Sequence, residues 1–245
     1  MVPAVLLVHG AWHGPWCWDG FAGRLAERGH DVRAVRLRGH DGRPGRIRHR
    51  LRDYVEDVRR AADGLTEPPV LVGHSLGGLV VQKYLERHPA RGAVLMASIP
   101  TGGGIGAIGR IAVRHPLILL KANLLMSLRP FIGTPELVRE WFFTPDTPRE
   151  SVLACMVRLQ DESYAVFLET VVRLPRPRRV DVPVLVLGSG RDRFFTTAEV
   201  RRTARAYRTE AEIFPAIGHD MMLDDGWHAV ADRVDSWIRE AATGG

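Results

Sequence analysis

Six short apolar runs, each long enough only for a strand, alternate along the chain with stretches of helical length, and this rhythm restricts the fold more than any other feature. The runs cover residues 4–8, 32–35, 70–72, 93–96, 184–187 and 212–214; the helix-like stretches cover 16–27, 51–64, 76–87, 197–207 and 227–240. Strands joined through helices lie parallel, because a crossover returns the chain to the same end of the sheet. The pattern predicts an α/β protein, a mostly parallel sheet of about six strands with helices on both faces. With 245 residues, 45% of them hydrophobic, the chain has the material for one such core.

One segment breaks the rhythm. Between residues 101 and 179 the strand signals give way to apolar, helix-like stretches punctuated by Pro116, Pro130, Pro135, Pro145 and Pro148, closing in LPRPRRVDVP. The division expected is a core built from residues 1–100 and 180–245 and a helical insertion over 101–179. GIGAIG at 104–109 fits the dinucleotide pattern G-x-G-x-x-G, but no acidic residue follows until Glu136, so the partner for a ribose is missing. It is expected to form a flexible entrance to the insertion, and no organic cofactor is implied. Phe131, Trp141, Phe142, Phe143 and Phe167 are expected to fill the core of the insertion; any that face a pocket would make it apolar.

A formal charge of +6 and the run RLRGHDGRPGRIRHRLR from Arg36 to Arg52 raise the question of nucleic acid. Lys83 and Lys121 are the only lysines, so arginine is favoured throughout the chain, and the run lacks interleaved aromatics for base stacking. It reads as a solvated basic face, with no nucleic-acid partner expected, though such a face suits an acidic carrier protein. Cys17 and Cys155 stand far apart without a CxxC neighbour, which fits buried thiols in a reducing cytoplasm. No membrane span is expected, because Arg114, His115 and Lys121 interrupt the most apolar later segment, and MVPAVLLVHG reads as a first strand rather than a signal peptide. His9 and His13 have a suggestive spacing but no third ligand nearby in sequence, so no metal is expected.

The chemistry concentrates in VLVGHSLGGL, where Ser75 ends an apolar strand and opens a helix, with Gly73 and Gly77 on either side. This is the G-x-S-x-G elbow: a tight strand-to-helix turn exposes the hydroxyl, and side chains at the flanking positions would clash. A hydroxyl is a weak nucleophile at neutral pH and needs a base and a group to orient that base. Asp192, in GSGRDRF after the fifth strand, and His219, in AIGHDMM after the sixth, supply both. The order Ser75, Asp192, His219 is the chain order of the hydrolase triad. Asp181 falls before its strand, and Asp224 and Asp225 follow the histidine; Asp220 reads as a helix-capping or loop carboxylate. Charge developing on a carbonyl oxygen needs two donors, here the N–H of Leu76 and that of Ala11 in the HGAWHGPWCW loop after the first strand.

Taken together, HGAWHGPWCW, GHSLGG, the Asp192 segment and IGHDMM resemble the α/β-hydrolase superfamily, and more narrowly its small cofactor-free esterases, the branch shared with plant methylesterases and hydroxynitrile lyases. The resemblance covers about two-thirds of the chain, both ends of it, and leaves the insertion unmatched. It implies Ser75 as nucleophile, His219 as base, Asp192 as its partner, Ala11 and Leu76 as oxyanion donors, and a helical cap. Hydroxynitrile lyases of this branch carry lysine after the histidine and threonine in place of the HG glycine; Asp220 and Gly10 stand here, so cyanohydrin cleavage is not expected. The serine at the elbow likewise argues against dehalogenase and epoxide hydrolase chemistry, which uses aspartate there.

The expected function is hydrolysis of a small, largely apolar carboxylic ester or thioester through an acyl-enzyme. The same triad also serves carbon–carbon bond hydrolysis, acyl transfer and release of thioesters from a carrier protein, and the fold also hosts ligand-binding receptors.

Overall fold

The computed structural model describes residues 3–42 and 48–243. Its centre is a six-stranded sheet, all parallel, formed by β1 (Val5–Val8), β2 (Val32–Val35), β3 (Val70–His74), β4 (Gly92–Met96), β5 (Val184–Ser189) and β6 (Ala211–Phe214), in the order β2-β1-β3-β4-β5-β6. The strands alternate faces as the pleat requires. In β1, Leu6 and Val8 join one hydrophobic cluster while Val5 and Leu7 join the other; in β4, Ala93 and Leu95 oppose Val94 and Met96 in the same way. Both faces are covered, which is why the inner strands are apolar at nearly every position.

The first cluster takes α2 (Leu51–Asp63), α3 (Leu76–Leu85) and α9 (Thr197–Ala206); the second takes α1 (Asp19–Glu27) and α10 (Trp227–Thr243). Between β4 and β5 run five further helices and no strand: α4 (Ile105–Arg114), α5 (Pro116–Leu125), α6 (Pro135–Phe142), α7 (Arg149–Met156) and α8 (Tyr164–Val172).

Two differences from the sequence reading have physical causes. Strand β3 continues through Gly73 to His74 because its backbone pairs onward, Gly73 opposite Val8 and Leu95, His74 opposite Met96. The GIGAIG stretch is not a flexible entrance: from Ile105 on it is the first turns of α4, with Ala107 and Ile111 buried. Tertiary burial of that apolar side outweighs the helix cost of Gly106 and Gly109, about 1 kcal/mol each. Of the basic run, residues 43–47 lie outside the described residues, as do residues 1–2 of the opening stretch. Arg38 pairs with Asp57 at 2.6 Å, and Arg50 lies 3.4 Å from Glu169, so these cations are already answered by carboxylates.

Parallel pairing puts the carboxyl ends of all six strands on one edge, where crevices collect in open α/β sheets. Residues following β1, β3, β5 and β6 meet there.

Candidate active site

Ser75 occupies the turn between β3 and α3 with φ 51° and ψ −116°, in the region that side-chain-bearing residues rarely adopt. The turn is held from below, where the Ser75 N–H donates to the Met96 carbonyl at 3.0 Å. A Cβ at Gly73 would lie 2.6 Å from the Gly77 carbonyl oxygen, and one at Gly77 would overlap the Val8 backbone, so both glycines are demanded by close approach. Leu76 is the first residue of α3, and its N–H lies ahead of any intrahelical acceptor. The Ser75 hydroxyl has no hydrogen-bond partner among the described residues.

The loop after β1 is fixed by its histidines. Burial, reinforced by His40, holds His9 neutral, its pKa well below the usual imidazole range; its Nδ1 lies 2.9 Å from the Gly10 carbonyl oxygen and its Nε2 accepts from the Leu37 N–H at 3.4 Å. In a trans peptide the N–H points opposite to the carbonyl. With the Gly10 carbonyl turned to His9, the Ala11 N–H faces the other way, and Ala11 lines the cavity that contains Ser75 and Leu76.

That cavity, with about 80 Å³ of free volume, is walled by Trp12, Ile99, Phe131, Phe167, Phe194 and Phe195, with Ala107, Ile108 and Ile111 contributed by α4. Glu162 and Thr170 are the polar residues besides Ser75. Glu162 is buried and engaged: its Oε1 accepts from the Tyr54 hydroxyl at 2.6 Å, and Oε2 lies 3.2 Å from His40 Nε2. Of the aromatics singled out in the sequence, Phe131 and Phe167 face the cavity, whereas Trp141, Phe142 and Phe143 are packed in the core.

His219 Nδ1 lies 2.9 Å from Asp192 Oδ2, with both side chains nearly inaccessible. Asp192 is itself fixed: its Oδ1 accepts the N–H groups of Phe194 and Phe195 at 2.7 and 3.1 Å. The rings of Phe194 and Phe195 stand 4.7 and 5.7 Å from the imidazole, so the histidine sits directly behind the cavity wall. Of the carboxylates weighed in the sequence, Asp192 is the one bonded to the histidine. Asp181 is exposed, and Asp224 braces its own loop through the Gly218 N–H at 2.6 Å and the Thr147 hydroxyl at 2.5 Å.

A second network underlies this one and was not legible in the sequence. Asp220 is not a helix cap; it is fully buried, its Oδ2 2.9 Å from His13 Nε2 and its Oδ1 3.8 Å from His74 Nε2. His13 Nδ1 lies 2.8 Å from the Ala11 carbonyl oxygen. Burial alone would discharge this pair, but the Asp220 charge and hydrogen bond lift His13 well above the usual imidazole range, while His13 draws Asp220 below the carboxylate range. An imidazolium with two N–H groups satisfies both acceptors. Beside it lies Cys155, whose buried thiol is pushed up and stays protonated. Donor atoms of His13, Cys155 and Asp220 lie within 4.8 Å of one another, and His9 is not among them. His74 completes the link, its Nε2 donating to the His219 carbonyl at 3.0 Å; burial, then the nearby His219, lowers its pKa to about 3.

The alpha/beta hydrolase family is matched over residues 5–233, and the chain belongs to that enzyme family. It is 26% identical to a monoacylglycerol lipase of Mycolicibacterium smegmatis, the match covering 96% of this chain and 87% of the relative. To methylesterase 10 of Arabidopsis thaliana it is 38% identical over a stretch covering 39% of this chain but only 37% of that relative. The structure is similar to that of polyneuridine aldehyde esterase, with TM-score 0.72, 18% identity and coverage of 97% of this chain and 99% of the other. Among the described residues no helix is long and apolar enough to cross a membrane.

Proposed function

We propose that this protein is a serine hydrolase acting on a small, largely apolar carboxylic ester or thioester. The observation that carries the reading is the His219 Nδ1–Asp192 bond at 2.9 Å, which commits one ring nitrogen to the carboxylate and leaves Nε2 for proton transfer. In this reading Ser75 Oγ attacks the carbonyl carbon as His219 Nε2 takes its proton, and the Ala11 and Leu76 N–H groups receive the oxyanion. His219 then protonates the departing alcohol or thiol, leaving Ser75 acylated. Water, deprotonated by the same nitrogen, attacks the acyl-enzyme and regenerates the hydroxyl.

The wall of the cavity supports an apolar acyl or alcohol group, since only Glu162, Thr170 and Ser75 among its lining residues carry polar side chains apart from the Trp12 indole. Residues 101–179 act in this reading as a cap, because α4 and α8 contribute Ala107, Ile108, Ile111 and Phe167 to that wall. The names of the relatives, a monoacylglycerol lipase and a methylesterase, agree with ester chemistry and differ in substrate.

The test follows alcohol release from short- and medium-chain acyl esters together with covalent labelling by a fluorophosphonate. Saturable turnover and labelling, both abolished in Ser75→Ala, are the expected result. A wild-type protein that neither labels nor turns over would remove the hydrolase reading and leave a binding protein built on the same fold.

A further inference from the structure

Helices α4 and α5 each carry an apolar stripe that faces solvent. In α4 the buried side lines the cavity through Ala107, Ile108 and Ile111, while Ile105 and Val113, two turns apart, are exposed, Val113 by 87%. In α5, PLILLKANLL, the exposed positions Leu117, Leu120 and Leu124 follow helical spacing and share a face with Lys121; Leu117 is 77% and Leu124 74% exposed. Leu125 and Met126 extend the stripe. A helix of a water-soluble domain turns polar residues outward, but on the outer face of α5 only Lys121 and Asn123 are polar, among Leu117, Leu120, Leu124 and Leu125.

The charge on this segment has one sign. From residue 101 to 135 the chain contains Arg110, Arg114, Lys121 and Arg129 and no Asp or Glu. Arg110 and Arg114 are paired with Glu199 and Glu140. Lys121 and Arg129 are exposed and have no ion-pair partner among the described residues. An apolar stripe with cations and no anions suits an interface whose interior is hydrocarbon and whose surface is negative. A lysine within such a stripe extends its ammonium to the headgroups while its stem lies along the acyl chains. A second copy of the chain suits it less, because a two-fold interface would set Lys121 near its own counterpart while Glu140 and Glu199 are already committed to Arg114 and Arg110.

From this we infer that the α4–α5 face docks onto an anionic lipid surface, bringing the cavity behind α4 within one helix diameter, about 10 Å, of the lipid. The inference does not depend on the reaction at Ser75. It is tested by co-sedimentation of the full chain with vesicles of phosphatidylglycerol and phosphatidylcholine in equal amounts, and with phosphatidylcholine alone, at low and physiological salt. Thermal unfolding serves as the fold control, and light scattering reports the oligomeric state. The wild type is expected to bind the anionic vesicles, more weakly at higher salt and more weakly still without phosphatidylglycerol. Leu117→Gln with Leu124→Gln should lower partitioning about tenfold or more, with unfolding unchanged. Lys121→Gln should lower it about fivefold on anionic vesicles and leave binding to neutral ones unaffected. A wild type that stays in the supernatant at low salt, or a double variant that sediments like the wild type, would overturn the inference. A wild-type dimer that the double variant dissolves, without vesicle binding, would assign the face to a second copy instead.

Discussion

The sheet with its flanking helices and the α4–α8 segment treat their apolar residues differently. Large hydrophobic side chains exposed to solvent occur, among the described residues, only from Ile105 to Leu174. In the sheet region every strand has helices to pack against, and the alternation of faces leaves nothing over. The five-helix segment packs one side onto the cavity and has no second layer for the other. Folding therefore accounts for the apolar residues of the first region but leaves twelve large hydrophobic side chains of the second in solvent.

Four substitutions and one titration sharpen this contrast, beginning with the largest effect. Ser75→Ala belongs to the sheet edge and to chemistry alone: ester turnover should drop by roughly 10⁴-fold or more with the unfolding midpoint nearly unchanged, since alanine keeps the same backbone turn and the hydroxyl makes no hydrogen bond that folding would lose. Asp220→Asn should act in the opposite sense. Removing one partner of a buried ion pair leaves the other uncompensated, so chemical denaturation should show a loss of about 3–5 kcal/mol. Leu71→Ala in β3, with a fully buried side chain, should cost about 2–5 kcal/mol, whereas Leu117→Ala on α5 should cost less than about 0.5. Equal losses at the two leucines would erase the distinction between the regions.

The remaining effect is a pH slope. His13 has its folded pKa raised and Asp220 has its lowered. The histidine's contribution is complete below about pH 6.5, its unfolded value, and is lost as pH rises through the higher folded value. The carboxylate's contribution is complete above about pH 4 and is lost as pH falls through its lower folded value. Stability should therefore decline on the alkaline side of neutrality, by at most about 1.4 kcal/mol per unit for this one proton. The decline should be absent in Asp220→Asn, as denaturation series at several pH values would show.

The class of fold and the approximate place of each strand were legible because both rest on local periodicity. So was the pairing of Asp192 with His219, because each follows a strand and parallel topology carries both to one edge. Glycine misled the reading twice, ending β3 early at Gly73 and turning the start of α4 into a loop, since propensity says nothing about the tertiary pairing that overrides it. The His13–Asp220 pair escaped entirely. Its members are 207 residues apart, and no spacing rule connects a histidine in the first loop to an aspartate in the last. The exposure of α5 was equally hidden, for an apolar helix has the same sequence whether it is covered or bare.

The point at which the five-helix segment leaves the sheet has a consequence for how such chains can diversify. Strands β4 and β5 are direct neighbours, Met96 opposite Leu187, although residues 97–183 lie between them. The chain departs at the carboxyl end of β4 and returns at the amino end of β5, where Val184 stands opposite Ala93; the two points are one strand spacing across and three residues along, about 11 Å apart, and the entropy of closing a longer or shorter excursion changes only with the logarithm of its length. Grafting a foreign segment there would leave the register of all six strands, and the residues at their ends, where they are. The chain is in effect a fixed chassis with an exchangeable hood, and a library of hoods of unequal length could be screened on it without rebuilding the engine.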